Sequence, residues 1–259
     1  MSKVQVLVAT MDQKDHSLLT KMNIQTDALV GNQVKDYSVE RFEWNGCDIS
    51  YFNTAEKGVG LNRNNILMRA TGDYCLFADD DMVYYDNYER IIITEFDKHP
   101  NADILIFNVD EPVKKRYVIN TEFRVGWFNF MRFGTVRIAA KREILYINGI
   151  HYNLSFGGGT RFQDGDDTLF LADCVRKGLN IIAVPVSIAR LTEERESTWF
   201  SGIDDKYFMD KGVLFWAISH KWYKLLCLQD AIRHKKKYKT GWNKTYNLMI
   251  MGVKSINKK

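Results

Sequence analysis

The sequence predicts an α/β protein, a mostly parallel central sheet flanked by helices on both faces, followed by a basic helical extension. Three observations carry that expectation. Short apolar, β-branched runs alternate with helical patterns through the first 110 residues, the order of a parallel sheet wound by crossover helices. The run Tyr74-Cys75-Leu76-Phe77-Ala78 is apolar without interruption, as a strand covered on both faces must be. After Arg190 the strand pattern gives way to apolar residues at helical spacing.

In chain order, Lys3 to Thr10, with Val4, Val6 and Val8, reads as a buried strand, and Ser17-Leu18-Leu19 with Met22 as a short helix. Ala28-Leu29-Val30 and Ile49 to Phe52 are the next two strands. Leu61, Ile66, Leu67 and Ala70 lie at helical spacing, and Thr71-Gly72 is expected to close that helix. The strand 74–78 follows, then a helix over Tyr88 to Phe96 and a strand over Ile104 to Val109. Residues 113–165 are rich in glycine and aromatics and hold strand candidates without a clear repeat. Asp166 to Lys177 reads as a helix and Ile181 to Val184 as a strand. Leu214, Ile218, Trp222, Leu225 and Ile232 then form one amphipathic stripe.

Composition narrows the class of protein. Of 259 residues, 46% are hydrophobic and 26% charged, with 17 Gly and 3 Pro, which excludes a disordered or fibrous chain. No apolar run approaches the ~20 residues that span a bilayer. The N-terminus shows no signal-peptide pattern, and Cys47, Cys75, Cys174 and Cys227 lie too far apart for a CxxC or zinc motif. A soluble, cytoplasmic protein with reduced thiols is therefore expected. The net charge of +4 is unevenly spread: residues 220–259 hold eleven Lys or Arg against one acid, Asp230, while the preceding residues hold 25 bases and 31 acids. A basic tail on an acidic body points to an anionic surface, although a solvated helical face has the same composition.

Two acidic clusters carry the chemistry. Asp79-Asp80-Asp81 follows the buried strand directly. Ligands bind beyond the carboxyl ends of strands in such sheets. Three adjacent acids there suit Mn²⁺ or Mg²⁺ bound with substrate phosphates, whereas the same run on an exposed turn would need no ligand. Asp164-Gly165-Asp166-Asp167 opens the helix over 166–177. Acids at a helix N-terminus are ordinary capping partners, but their density beside a glycine-rich aromatic segment favours a general base among them. Trp127, Phe128 and Phe130 have the rings to stack on a sugar or to fill a core.

The segment Gly58-Val-Gly60-Leu-Asn-Arg63-Asn64, with Ala70-Thr-Gly-Asp-Tyr-Cys-Leu-Phe-Ala-Asp-Asp-Asp81, resembles family 2 glycosyltransferases of the GT-A, Rossmann-like fold. Gly165-Asp166-Asp167-Thr-Leu-Phe-Leu resembles the Glu-Asp motif whose second acid is that family's base. Arg195-Glu-Ser-Thr-Trp-Phe200 and Asp210-Lys-Gly212 look like a bacterial surface-polysaccharide branch of it. The resemblance implies a GT-A catalytic domain over 1–190, with a nucleotide-sugar-binding half to about 110 and an acceptor-binding half over 111–190. Residues 191–259 form the C-terminal helical basic extension.

It also implies residue roles. Thr10 and Met11 would flank the base and Asn32 would stand where relatives carry a base-reading Asp. Arg63 would lie near the nucleotide or pyrophosphate, with structural packing the competing role. Asp79 and Asp80 would contact the donor, Asp81 the metal, and Asp167 would be the base. Trp127, Gly158 and Asp166 are weaker candidates for an acceptor pocket. The family's late His ligand is missing, and Glu193, Glu194 or Glu196 would replace it, or water would.

The activity so implied is inverting transfer from a nucleotide-diphosphate sugar, by family habit a UDP-sugar, to an oligosaccharide or polyprenyl-linked glycan in bacterial polysaccharide synthesis. The tail would meet an anionic membrane surface, or pack on the catalytic domain. Two alternatives remain. A sugar nucleotidyltransferase would want a glycine-rich phosphate loop, where the sequence has Thr10-Met11-Asp12-Gln13. A non-catalytic sugar-binding protein would not need both acid motifs. No nucleic-acid partner is expected, because no such module is recognisable.

Overall fold

Alternate residues of a strand face opposite sides of its sheet. In β1 (Val4–Met11) both sides are apolar: Val4, Val6 and Val8 enter one core cluster and Leu7 the other. β1 is accordingly buried and central. The computed structural model describes residues 2–112, 117–192 and 202–256.

After β1 come α1 (Ser17–Lys21), β2 (Asp27–Gln33), β3 (Ser38–Trp44), β4 (Cys47–Thr54), α2 (Val59–Leu67) and β5 (Tyr74–Asp79). β6 (Met82–Tyr84), α3 (Tyr88–Lys98), β7 (Ile104–Asp110) and β8 (Phe123–Val125) follow. Then come β9 (Ile138–Lys141), α4 (Arg142–Ile147), α5 (Asp166–Arg176) and β10 (Ile181–Leu191). The remaining helices are α6 (Asp205–Ile218), α7 (Tyr223–Arg233), α8 (Lys235–Tyr238) and α9 (Trp242–Ile256).

Among the described residues the strands form one sheet in the order β3-β4-β2-β1-β5-β9-β7-β10-β6, with β8 also on β10. β4, β2, β1 and β5 are parallel, as are β7 and β10. β9 is antiparallel to both β5 and β7 and joins the two parallel blocks. α1 and α3 cover one face through Leu18, Leu19 and Ile92, whereas α2 and α5 cover the other through Ile66 and Phe170.

Three local expectations need correction. The helix over 61–70 is α2 and ends at Leu67, so Thr71-Gly72 does not cap it. Gly72 is needed instead because a Cβ there would lie 2.7 Å from that of Gln5. The strand expected at 181–184 continues to Leu191, with register shifts around Pro185, which cannot donate to the ladder. The stripe from Leu214 to Ile232 is broken between α6 and α7. Leu214 and Ile218 are buried on α6, whereas Trp222, Leu225 and Ile232 face solvent.

The C-terminal helices pack on the α5 side. Phe208, Val213, Leu214 and Phe215 share one core cluster with Leu169 and Phe170.

Candidate active site

Short polar side chains lock the carboxyl ends of β1, β2 and β5 together. Thr10 Oγ1 donates to Asp80 Oδ2 at 2.6 Å and accepts from Gln13 Nε2 at 3.0 Å. The Met11 carbonyl accepts from the same amide at 3.3 Å. Asn32 is buried. Its carboxamide accepts from the Gln13 backbone N–H and donates to the Gln13 carbonyl and to Asn53 Oδ1. Asn32 therefore shapes the β1 loop at the floor of a cleft of about 440 Å³, which Gln13, Lys14, Tyr51 and Asn53 also line. Asn62 on α2 donates to the carbonyls of Thr10 and Gly31, fixing α2 over the same strand ends. It sits so close that a Cβ on Gly31 would lie 1.9 Å from its Oδ1.

One turn of α2 places Arg63 at the centre. Its guanidinium is 5% exposed and reaches Asp79 Oδ1 at 2.6 Å, Asp166 Oδ2 at 2.5 Å and Asp167 Oδ1 at 3.2 Å. It lies over the ring of Tyr152, 5.3 Å from the centroid. The two acidic clusters, 85 residues apart in sequence, thus meet on one cation. Both terminal nitrogens of Arg63 are engaged by carboxylates, the packing role expected of it as the alternative to a place near the nucleotide or pyrophosphate. Burial opposes the charge of Arg63, but Asp79, Asp167 and Asp166 outweigh it and raise its pKa above the ordinary arginine range.

Three carboxylates around one guanidinium leave excess negative charge. Burial, reinforced by the charge of Asp167, pushes the Asp166 carboxyl up to about 7, against the pull of Arg63. Asp164 is raised by burial and by Asp167 as well. The three acids of this motif divide the space unequally. The Asp166 side chain is 11% exposed and lies under Gly157, whereas the Asp167 side chain is 35% exposed. Asp167 Oδ1 accepts from Thr135 Oγ1 at 2.5 Å, and the Thr135 hydroxyl also meets Tyr152 Oη at 3.2 Å. The other oxygen, Oδ2, lies over Gly134, where a Cβ would approach it to 3.1 Å.

The glycine-rich segment closes this side. Gly157 has φ +98°, and a Cβ on it would come within 2.8 Å of Asp166 Cγ. The Gly158 carbonyl accepts the first amide of α2, Val59 N–H, at 3.0 Å. Gly158 therefore joins the site as a cap on the helix that bears Arg63. Asp166 belongs beneath the site rather than on a pocket wall.

Trp127 does not join it. Its ring lies 6.0 Å from the guanidinium of Arg176, at the C-terminal end of α5, while Asp166 opens the same helix. Eleven residues of helix separate those ends by about 15 Å. Trp127 also follows β8, which pairs with the start of β10 and so lies at the amino ends of the parallel strands.

Asp79, Asp80 and Asp81 offer hard oxygen donors at the strand ends. As a donor set they would suit a divalent cation only together with further ligands such as substrate phosphates and water. Among the described residues no three His, Cys, Asp or Glu side chains are grouped to hold a metal. The Asp81 carbonyl accepts from Thr192 N–H at 2.8 Å, which ties β6 to the end of β10. Glu193, Glu194, Glu196 and the run Arg195–Phe200 lie outside the described residues.

Sequence reasoning missed Asn62, Gly134, Thr135 and Tyr152. Thr135 sits in a 3₁₀ turn, Thr135–Arg137, in the stretch without periodicity, and nothing local marks it. Asn62 had a visible address, one residue before Arg63 in the motif.

Residues 29–160 match the family model described as Glycosyl transferase family 2. No curated protein is significantly similar in sequence. Among solved structures, S. aureus TarS 1-349 in complex with UDP-GlcNAc superposes with a TM-score of 0.66 at 12% identity, covering 98% of this chain and 92% of that one. TarS 1-349 in complex with UDP gives 0.63 at 13% identity, with the same coverage. A further structure of S. aureus TarS gives 0.61 at 15% identity, covering 90% of this chain and 43% of that one. At these identities the likeness is one of fold. The family model spans half of the chain and contains Arg63 and the aspartate run that meets it, so the chain belongs to glycosyl transferase family 2.

Proposed function

We propose that this protein is an inverting glycosyltransferase that moves a sugar from a nucleotide-diphosphate donor, a UDP-sugar, to a hydroxyl of an oligosaccharide or polyprenyl-linked glycan in bacterial surface-polysaccharide synthesis. The observation that carries the reading is the convergence of Asp79 and Asp167 on Arg63. It brings a donor-side acid and a separate, partly exposed acid to the same end of the sheet. The cleft above Asn32 has the size range of a small-molecule site, and TarS, of the same fold, is known in complex with UDP and with UDP-GlcNAc.

Each residue then has a task. Thr10, Met11 and the Asn32-braced loop flank the nucleoside, and Asp80, held by Thr10, lies beside them. Asp81, with its neighbours, holds the Mn²⁺ or Mg²⁺ that, when bound, supplies Lewis-acid neutralisation of the leaving diphosphate. Asp167 takes the proton of the acceptor hydroxyl as oxygen attacks C1 from the face opposite the diphosphate. Thr135 and Arg63 fix one oxygen of Asp167, which orients the other. One metal-binding acid and one separate base imply a single displacement at C1, hence inversion.

Calorimetry with UDP and Mn²⁺, paired with a transfer assay over a panel of UDP-sugars, tests this. Asp167→Asn is expected to bind UDP like wild type and to lose about 10² to 10⁴ in turnover, the size of a general-base contribution. Asp81→Ala is expected to lose the Mn²⁺-dependent part of UDP binding. Undiminished transfer by Asp167→Asn would reassign the base.

A further inference from the structure

Among the described residues, the C-terminal helices leave one face unpartnered. On α7 and the residue before it, Trp222, Leu225 and Ile232 are 55%, 55% and 49% exposed. Their spacing of three and seven puts them on one side of the helix. The buried side of α7, with Cys227, Asp230 and Ala231, faces the bundle.

The charge around this apolar strip has one sign. Lys221, Lys224 and Arg233 flank it, and Lys235, Lys236 and Lys237 follow on α8, all exposed. The Nζ of Lys221 lies 5.2 Å from the centroid of the Trp222 ring. The single acid of this stretch is turned inward: Asp230 is paired with Lys211 at 3.0 Å and accepts from Tyr238 Oη at 2.7 Å, with His234 Nδ1 at 3.0 Å. No local carboxylate on α7 or α8 therefore offsets the lysines at the surface.

We propose that this face docks on an anionic phospholipid surface, with Trp222, Leu225 and Ile232 entering the headgroup–acyl boundary and the lysines meeting lipid phosphates. Apolar residues rimmed by cations are the arrangement an interfacial helix needs, and each near-surface Lys strengthens binding to anionic lipid. No described helix is long and apolar enough to cross a membrane, so the contact is peripheral. A second copy of the chain would set lysines against lysines across the same face, which charge repulsion disfavours.

The placement also connects to the site. α7 returns alongside α6, and the α8 residue Tyr238 packs on Phe208 with ring centroids 5.0 Å apart. Two residues earlier on α6, Lys206 donates to the carbonyl of Arg161 in the glycine-rich segment over Asp166. The lysine turn therefore lies toward the catalytic end of the molecule. Docking through α7 and α8 would hold that end close to the headgroups, within reach of a lipid-linked acceptor if the proposed transfer reaction holds.

Flotation of the full chain with phosphatidylcholine vesicles and with 7:3 phosphatidylcholine–phosphatidylglycerol vesicles tests the face without donor or acceptor. Its failure would leave the transfer reading untouched, and a failed transfer assay would leave this one standing. Wild type is expected to float with the phosphatidylglycerol vesicles alone and to release as salt shortens the screening length. W222S/L225S/I232S and K235E/K236E/K237E should each reduce the vesicle-bound to free ratio at least about tenfold. All six sites are exposed, and unchanged circular dichroism and melting temperature would verify the fold. Equal flotation with neutral vesicles, no flotation, or variants that float like wild type would overturn the proposal. So would a wild-type dimer that W222S/L225S/I232S converts to monomer, since the face would then belong to a second copy.

Discussion

Arg63 is a buried cation in contact with three acids, and the balance among those acids is open to measurement. Asp166 is the acid pushed furthest toward its protonated form: burial and the neighbouring Asp167 raise its carboxyl to about 7, against the pull of Arg63 and well above an unfolded aspartate near 4. A folded state that holds a proton more tightly than the unfolded chain is favoured at low pH. Its advantage is lost as pH rises from about 4 to about 7, by at most roughly 1.4 kcal/mol per unit. Asp166→Asn removes that titration. Urea unfolding at pH 5 and pH 7 should therefore show wild type losing more stability than the variant over the interval. A wild-type–variant difference independent of pH would mean that Asp166 is ionised throughout. Much of this constellation was legible as residue types, since Arg63, Asp79, Asp166 and Asp167 all stand in motifs. That Arg63 touches all three acids was not legible, because it depends on α2 and the N-terminus of α5 reaching the same end of the sheet, which no local spacing encodes.

At the level of elements, strands with an apolar run declared themselves and strands without one did not. β1, β2, β4, β5 and β7 all contain such runs. β3 is polar and mostly exposed, and its signal was instead the turn, Asn45-Gly46, with φ +50° and +79°, the pair that favours a two-residue hairpin. β9 has four residues and β6 three, too few to show a period. The N-terminus of α5 shows how one backbone position couples elements. Gly165 has φ +106° at the start of that helix, and a Cβ there would lie 2.6 Å from Leu214 Cδ1 on α6. Gly165→Ala would meet both backbone strain and overlap, at a cost of about 1–3 kcal/mol each. It should lower the melting temperature and weaken transfer by displacing Asp166 and Asp167. Adding Leu214→Ala relieves the overlap and not the φ, so the double variant should recover part of the lost transfer. A double variant no better than Gly165→Ala would place the whole cost in the backbone.

For the whole molecule, the decisive question is whether the helical extension is a separate unit, as the composition break near residue 190 suggests. The packing argues otherwise. Phe208, Val213, Leu214, Phe215 and Ile218 are buried in the same cluster as Leu169 and Phe170 of α5 and Ile181 of β10. Arg176, which ends α5, also donates to the Ile218 carbonyl at 3.0 Å. Five buried side chains at about 1.5–3 kcal/mol each amount to roughly 10 kcal/mol, comparable to the entire stability of a typical domain. Ending the chain at Leu191 would also uncover the α5 face that carries Phe170 and would remove Leu214 from Gly165. We expect residues 1–191 alone to aggregate or to bind a hydrophobic dye with loss of near-ultraviolet dichroism, and to bind no UDP. The basic composition of the tail and the core contacts then reside on neighbouring helices: the lysines of α7 and α8 face out, while Leu214, Phe215 and Ile218 of α6 complete the core against α5, the helix that bears Asp167. A truncated chain that elutes as a folded monomer and binds UDP would instead make 1–191 an autonomous catalytic domain, with the helices an appendage to it.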